Sequence, residues 1–168
     1  MEKKITRLKD FIRNCGRVAV AYSGGIDSSL VLKLCIDVLG RKNVLAVTGR
    51  SETFTNVELE EARKFARAVG ARLIVITTRE IDNPDFRSNP PSRCYHCKKE
   101  FYSMLSELAA KRGFSCIFDG SNSNDLLDYR PGRKAVEEFG IISPLIKFGL
   151  DKAEVRKAAK KMGLAIWD

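Results

Sequence analysis

The sequence predicts an α/β fold: a doubly wound, mostly parallel five-stranded sheet with helices on both faces. Three observations carry this. Short apolar runs at residues 17–22, 44–48 and 73–77 read as strands buried on both sides. Longer stretches between them place apolar residues at three- and four-residue steps, the spacing of helices. The two patterns alternate in the order that builds a parallel sheet. At 168 residues with 44% hydrophobic residues, the chain reads as a single domain over 1–168 with a sizeable core.

Taken in order, Ile5, Leu8, Phe11, Ile12 and Cys15 mark an amphipathic helix over 3–15 that stops at Gly16. The first strand leads into the glycine loop Tyr22-Ser23-Gly24-Gly25-Ile26-Asp27-Ser28-Ser29 and then a helix reaching Leu39-Gly40. After the second strand comes a helix carrying Val57, Ala62, Phe65, Ala66 and Val69. Residues 79–93 break the alternation with a polar, proline-rich excursion beyond the third strand. A helix over 94–111 and a fourth strand at 116–119 follow. A Gly/Asn/Asp-rich loop, a short helix near 133–139 and a fifth strand at Ile141-Ile142-Ser143 complete the sheet. Asp151 and Glu154 form a capping-box pattern for a last helix ending at Gly163.

Thirty basic against twenty-one acidic residues give a net charge of +9. Two readings stand: anionic partners such as nucleotides or RNA, or solvated helix faces, since the charge is spread as in Arg63-Lys64 and Lys160-Lys161. The apolar runs are too short to span a bilayer, and Met1-Glu2-Lys3-Lys4 opens no signal-peptide hydrophobic region. A soluble, cytoplasmic protein is expected. Cys15, Cys35 and Cys116 fall in apolar patterns and read as core residues, outside any disulfide framework.

The loop at 22–29 is suited to a polyphosphate. Paired glycines let backbone approach a ligand, and the helix start offers N–H groups and the positive dipole end to an anion. Ser23, Ser28 and Ser29 add hydroxyls, and Asp27 can hold a divalent cation among phosphate oxygens. No glycine is followed by lysine, and no G-x-G-x-x-G occurs, so two other phosphate loops are excluded. The loops after strands one to four all fall at the carboxyl edge of the sheet, where ligands of such folds bind.

At Ser23-Gly24-Gly25-Ile26-Asp27-Ser28 the chain resembles the PP-loop ATP pyrophosphatase family, whose fold is Rossmann-like, of the adenine nucleotide alpha hydrolase type. The resemblance implies ATP cleaved between its α and β phosphates, a substrate adenylated and pyrophosphate released. Ser23, Gly24, Gly25, Ser28 and Ser29 would hold the phosphates, with Asp27 and Asp125 organising Mg²⁺. The edge after strand two, with Thr48 and Ser51, would take the adenosine. Glu58 either joins that site or is an N-terminal acid favoured by its helix dipole.

Asp119-Gly120-Ser121-Asn122, Asp128-Tyr129-Arg130-Pro131-Gly132, Ser143-Pro144-Leu145 and the closing Gly163-Leu164-Ala165-Ile166-Trp167-Asp168 resemble one branch, the sacrificial sulfur transferases of the LarE type. Gly120 and Asn122 then belong to the nucleotide site, and Arg130 positions a small carboxylate or nucleotide-like acceptor. Pro91-Ser92-Arg93-Cys94-Tyr95-His96-Cys97-Lys98 matches the same branch. Cys94 and Cys97, one helical turn apart, are candidates for zinc or an iron–sulfur cluster; a redox-idle pair, or thiols of lowered pKa, is the alternative. The branch continues past Trp-Asp into a segment with a further cysteine, so a C-terminal sulfur-transfer segment is expected to be missing. A homo-oligomer is expected. Three rivals share the loop: an ammonia-using synthetase of the GMP or NAD synthetase type, a tRNA-thiolating enzyme, and a non-catalytic nucleotide-binding module.

Overall fold

The computed structural model describes residues 1–50, 55–78, 93–126 and 132–165, the side chains of Arg93 and Cys94 excepted. Helix α1 (Glu2–Cys15) precedes β1 (Val18–Ala21), α2 (Ile26–Leu39), β2 (Val44–Arg50), α3 (Asn56–Ala68) and β3 (Arg72–Thr77). Then come α4 (Arg93–Lys111), β4 (Cys116–Phe118), α5 (Gly132–Glu138), α6 (Pro144–Lys147) and α7 (Lys152–Lys161).

The four strands pair in the order β3-β2-β1-β4, all parallel. Because side chains alternate across a strand, each strand supplies both layers. Val18, Val20, Val44, Ala46 and Phe118 face one side, where Leu8 and Ile12 of α1, the α2 leucines and Val155, Ala158 and Ala159 of α7 cover them. Ala19, Leu45, Val47 and Ile76 face the other, under Tyr102, Leu105 and Ala109 of α4 and Ala135 of α5. Helix α2 is buried over most of its first ten residues, Leu30, Val31, Leu32, Leu34 and Cys35 among them, because other helices as well as the sheet pack on it.

The expected fifth strand reduces to one parallel bridge between Phe118 and Ile142. Ile142 donates to Ile117 O at 2.9 Å and accepts from Asp119 N at 3.0 Å. Two residues on, Pro144 opens α6 at its first turn. Proline has no N–H for a ladder and favours that helical position, so pairing ends there.

Cys35 is buried in the core, and Cys15 and Cys116 pack against the same cluster. Burial, with a hydrogen bond to Cys116, pushes the Cys15 thiol up to about 12. Basic residues on helix faces find acidic neighbours, as Arg63 does with Glu60 at 2.6 Å and Lys111 with Glu107 at 2.7 Å. No helix among the described residues is long and apolar enough to cross a membrane.

Candidate functional site

The sheet order reverses at β1, whose neighbours are β2 and β4. The carboxyl ends of β1 and β4 are therefore the switch point where a ligand crevice forms. Residues 22–29 leave the first end and residues 119–126 the second.

The first loop is held from behind. Tyr22 N donates to Val47 O at 2.8 Å, and buried Thr48 donates through Oγ1 to Tyr22 O at 2.7 Å. Gly24 takes φ +83, a conformation that disfavours any side chain. Ser28 Oγ receives Ser23 N at 3.2 Å and donates to Gly25 O at 3.1 Å, closing the turn onto α2. Ser29 points away from the loop: it is fully buried and its Oγ donates to the Tyr22 hydroxyl at 3.4 Å. Helix α2 starts at Gly25 without a side-chain cap, whereas α3 and α7 both carry complete capping boxes. Its first N–H groups and dipole end are thus presented at the crevice without a resident side-chain acceptor at the cap.

The second loop lies against the first. A Cβ on Gly120 would sit 2.6 Å from Ser28 N, so only glycine permits that approach. Buried Asp119 accepts from Ser121 N at 3.2 Å and Ser121 Oγ at 2.7 Å. Burial drives the Tyr102 phenol well above its ordinary value, and the charge and hydrogen bond of Asp119 add to the rise. Asp125 Oδ2 accepts from Asn122 N at 3.0 Å. Asn122 Nδ2 donates to Asp27 Oδ1 at 3.3 Å, tying the two loops together. Lys152 completes the junction, with Nζ 2.5 Å from Asp27 Oδ2.

Between the loops and α4 lies a cleft of about 420 Å³. Ser23, Gly25, Asp27, Ser28, Thr48, Gly120 and Asp125 line it, together with Cys97, Lys98 and Phe101 of α4. The volume lies within the ordinary range of small-ligand sites. Asp27 and Asp125 are a donor set that fits Mg²⁺, which takes one or two carboxylates and completes its shell from phosphates and water.

The sequence-predicted residues divide accordingly. Ser23, Gly25, Ser28, Asp27, Thr48, Gly120, Asp125 and Cys97 meet at one cleft; Gly24 and Asn122 shape it, and Ser29 supports it from the core side. Ser51, Arg130 and the Cys94 side chain lie outside the described residues. Glu58 is a cap: its Oε2 accepts from Thr55 N at 2.9 Å and Thr55 Oγ1 at 2.7 Å, which lowers its pKa. Among the described residues no group of three or more His, Cys, Asp or Glu side chains is placed to hold a metal. The His96 ring stands edge-on to Tyr95, 5.3 Å between centroids. Lys152 was not legible as a site residue, and Lys98 was legible only as a cation flanking the Cys94/Cys97 pair. The faint signal for Lys152 is a cation at a helix start, where the dipole disfavours it.

The NAD synthase family profile matches residues 1–101. An uncharacterized protein of Synechocystis is 41% identical over the whole chain, which covers 62% of that relative. Pyridinium-3,5-bisthiocarboxylic acid mononucleotide synthase of Lactiplantibacillus plantarum is 43% identical over 94% of this chain and 57% of its own length. The chain thus spans about three-fifths of the curated relatives it matches. The NH3-dependent NAD synthetase structure from Campylobacter jejuni superposes with a TM-score of 0.73 over 98% of this chain and 74% of that one, at 24% identity, which shows the shared fold. With a family match over more than half its length, the chain belongs to the NAD synthase family.

Proposed function

We propose that the chain binds ATP in this cleft and splits it between the α and β phosphates to adenylate a carboxylate, the first half of a sulfur transfer. The observation that carries this is the uncapped start of α2 opening into the same cleft as two carboxylates, Asp27 and Asp125. Backbone N–H groups of the loop, with Ser23 and Ser28, hold the β and γ phosphates. The adenosine lies toward Thr48 and Gly49 at the end of β2, with Ser51 assigned to the same site from the sequence alone. Mg²⁺ held by Asp27 and Asp125 supplies charge neutralisation for the leaving pyrophosphate.

An acceptor carboxylate oxygen forms a bond to the α-phosphorus as the bond to the bridging oxygen breaks. The products are an acyl adenylate and pyrophosphate. This chain's residues act by placing the phosphates and offsetting their charge, and need supply no nucleophile toward ATP. Arg130 positions the acceptor. A sulfur nucleophile then displaces AMP from the acyl carbon.

Two observations favour sulfur over nitrogen as the second nucleophile. Cys97 lines the cleft, and the L. plantarum relative is named for a product bearing two thiocarboxylic groups. That product is also a small mononucleotide, so a carboxylated pyridinium mononucleotide is the assigned acceptor class, in preference to tRNA. The ammonia-using alternative draws support from the family profile and requires neither Cys94 nor Cys97. Incubation with ATP·Mg²⁺ and a nicotinate mononucleotide acceptor should release AMP and pyrophosphate. Release of ADP and phosphate would refute α–β cleavage. Full product yield after Cys94→Ser with Cys97→Ser would move the assignment to the ammonia-using type.

A further inference from the structure

Two helices begin at one point. Asp27 is the second residue of α2 and Lys152 the first of α7, and their side chains form an ion pair at 2.5 Å. The carboxylate stands where a helix favours it, at the positive end of the α2 dipole. The ammonium stands where a helix disfavours it, at the positive end of α7. Helix α7 has no need of a lysine there, because Asp151 and Glu154 already complete its cap.

Lys152 is fixed from outside its helix. Its backbone N–H donates to Asn124 Oδ1 at 2.8 Å, and Asn124 N donates to Asn122 Oδ1 at 3.0 Å. Asn122 also reaches the other oxygen of Asp27. The loop after β4 therefore holds both members of the pair. The Asp27 side chain keeps 22% exposure and that of Lys152 34%, so the pair is open to exchange with ions from solution.

We propose that Lys152 is a resident counter-cation that occupies the divalent-cation position on Asp27 and makes cation binding there conditional on phosphate. A lone dication must displace the ammonium and leave it beside a second positive charge at the positive end of α7. A dication arriving with a polyphosphate brings the anionic oxygens to which the ammonium can swing. Lysine suits the part, a compact charge with three donors on a flexible stem. Lys152 is on this view a positioning residue. The inference rests on the nucleotide reading given above, and its test is independent of turnover.

Mn²⁺ alone, without nucleotide, is titrated into the full chain while free Mn²⁺ is followed by electron paramagnetic resonance. Lys152→Met should bind Mn²⁺ at least about tenfold more tightly than wild type, a difference of roughly 1.4 kcal/mol. Lys152→Arg, which keeps the charge, should bind it as weakly as wild type. Adding Asp27→Asn to Lys152→Met should abolish the gain. An unchanged Mn²⁺ affinity in Lys152→Met, with circular dichroism matching wild type, overturns the proposal, as does a gain that survives Asp27→Asn. Lys152→Gln is a second neutral variant should the first fail to fold. Failure of the nucleotide reading shows separately, as absence of ADP binding by the wild-type chain.

Discussion

Gly120 lies so close to Ser28 that a Cβ there would fall 2.6 Å from the serine amide nitrogen and 2.8 Å from its Cα. Backbone meets backbone at this point, and neither side can yield as a flexible side chain would. The loop after β4 can approach the phosphate loop only because residue 120 has no side chain. Gly120→Ala should therefore lower the urea midpoint by the equivalent of about 1–3 kcal/mol, the usual cost of overpacking. Calorimetric ATP affinity should fall with it. An unchanged midpoint and affinity would show that the two loops are not in contact.

Thr48 pins the phosphate loop from the neighbouring strand through its bond to Tyr22 O. Thr48→Val keeps the shape, removes the donor and leaves a carbonyl short of a partner. Thermal unfolding should report a loss of roughly 1–2 kcal/mol, with Thr48→Ser close to wild type. Equal loss in both variants would assign the effect to the threonine methyl.

Much of this arrangement was legible in the residues, and what was missed has physical reasons. Periodicity located α1 to α5, α7 and β1 to β4, because a strand buried on both faces and an amphipathic helix leave different patterns; the four-residue α6 is too short to leave one. The loop between β1 and α2 was legible because a glycine pair and a strand-to-helix change occur together at 22–29. Ile141-Ile142-Ser143 has strand composition, yet Pro144 halts pairing after one bridge. Thr55-x-x-Glu58 carries a capping-box signature that settles Glu58 as a cap. Lys152 could not be found this way: it stands 125 positions from Asp27, and only the fold brings them together.

Asp27→Asn is nearly isosteric, and its single carbonyl oxygen can accept from Asn122 or from Lys152 but not from both, so circular dichroism should be unchanged and the melting temperature should fall modestly. Pyrophosphate release should drop roughly 100-fold or more, the scale of losing one stabilising group for developing charge. Retained turnover would remove Asp27 from metal binding.

The half-buried thiol at Cys15 gives a pH dependence of known sign. Its folded pKa is raised from 9.0 to about 12, so the folded state keeps a proton that the unfolded state releases. The stability it contributes is complete below pH 9 and is lost as pH rises through the window from 9 toward 12. Urea denaturation across that window should show a steeper decline for wild type than for Cys15→Ala. Parallel declines would mean that Cys15 is not the group responsible.

The most direct test of nucleotide binding at the start of α2 is a crystal structure with Mg²⁺ and an ATP analogue carrying a methylene bridge between the α and β phosphorus atoms. The expected result places the β and γ phosphate oxygens about 3 Å from the loop amides between Ser23 and Ser28, with the metal on Asp27. A triphosphate bound elsewhere on the chain, with residues 23–28 free of phosphate, would contradict it.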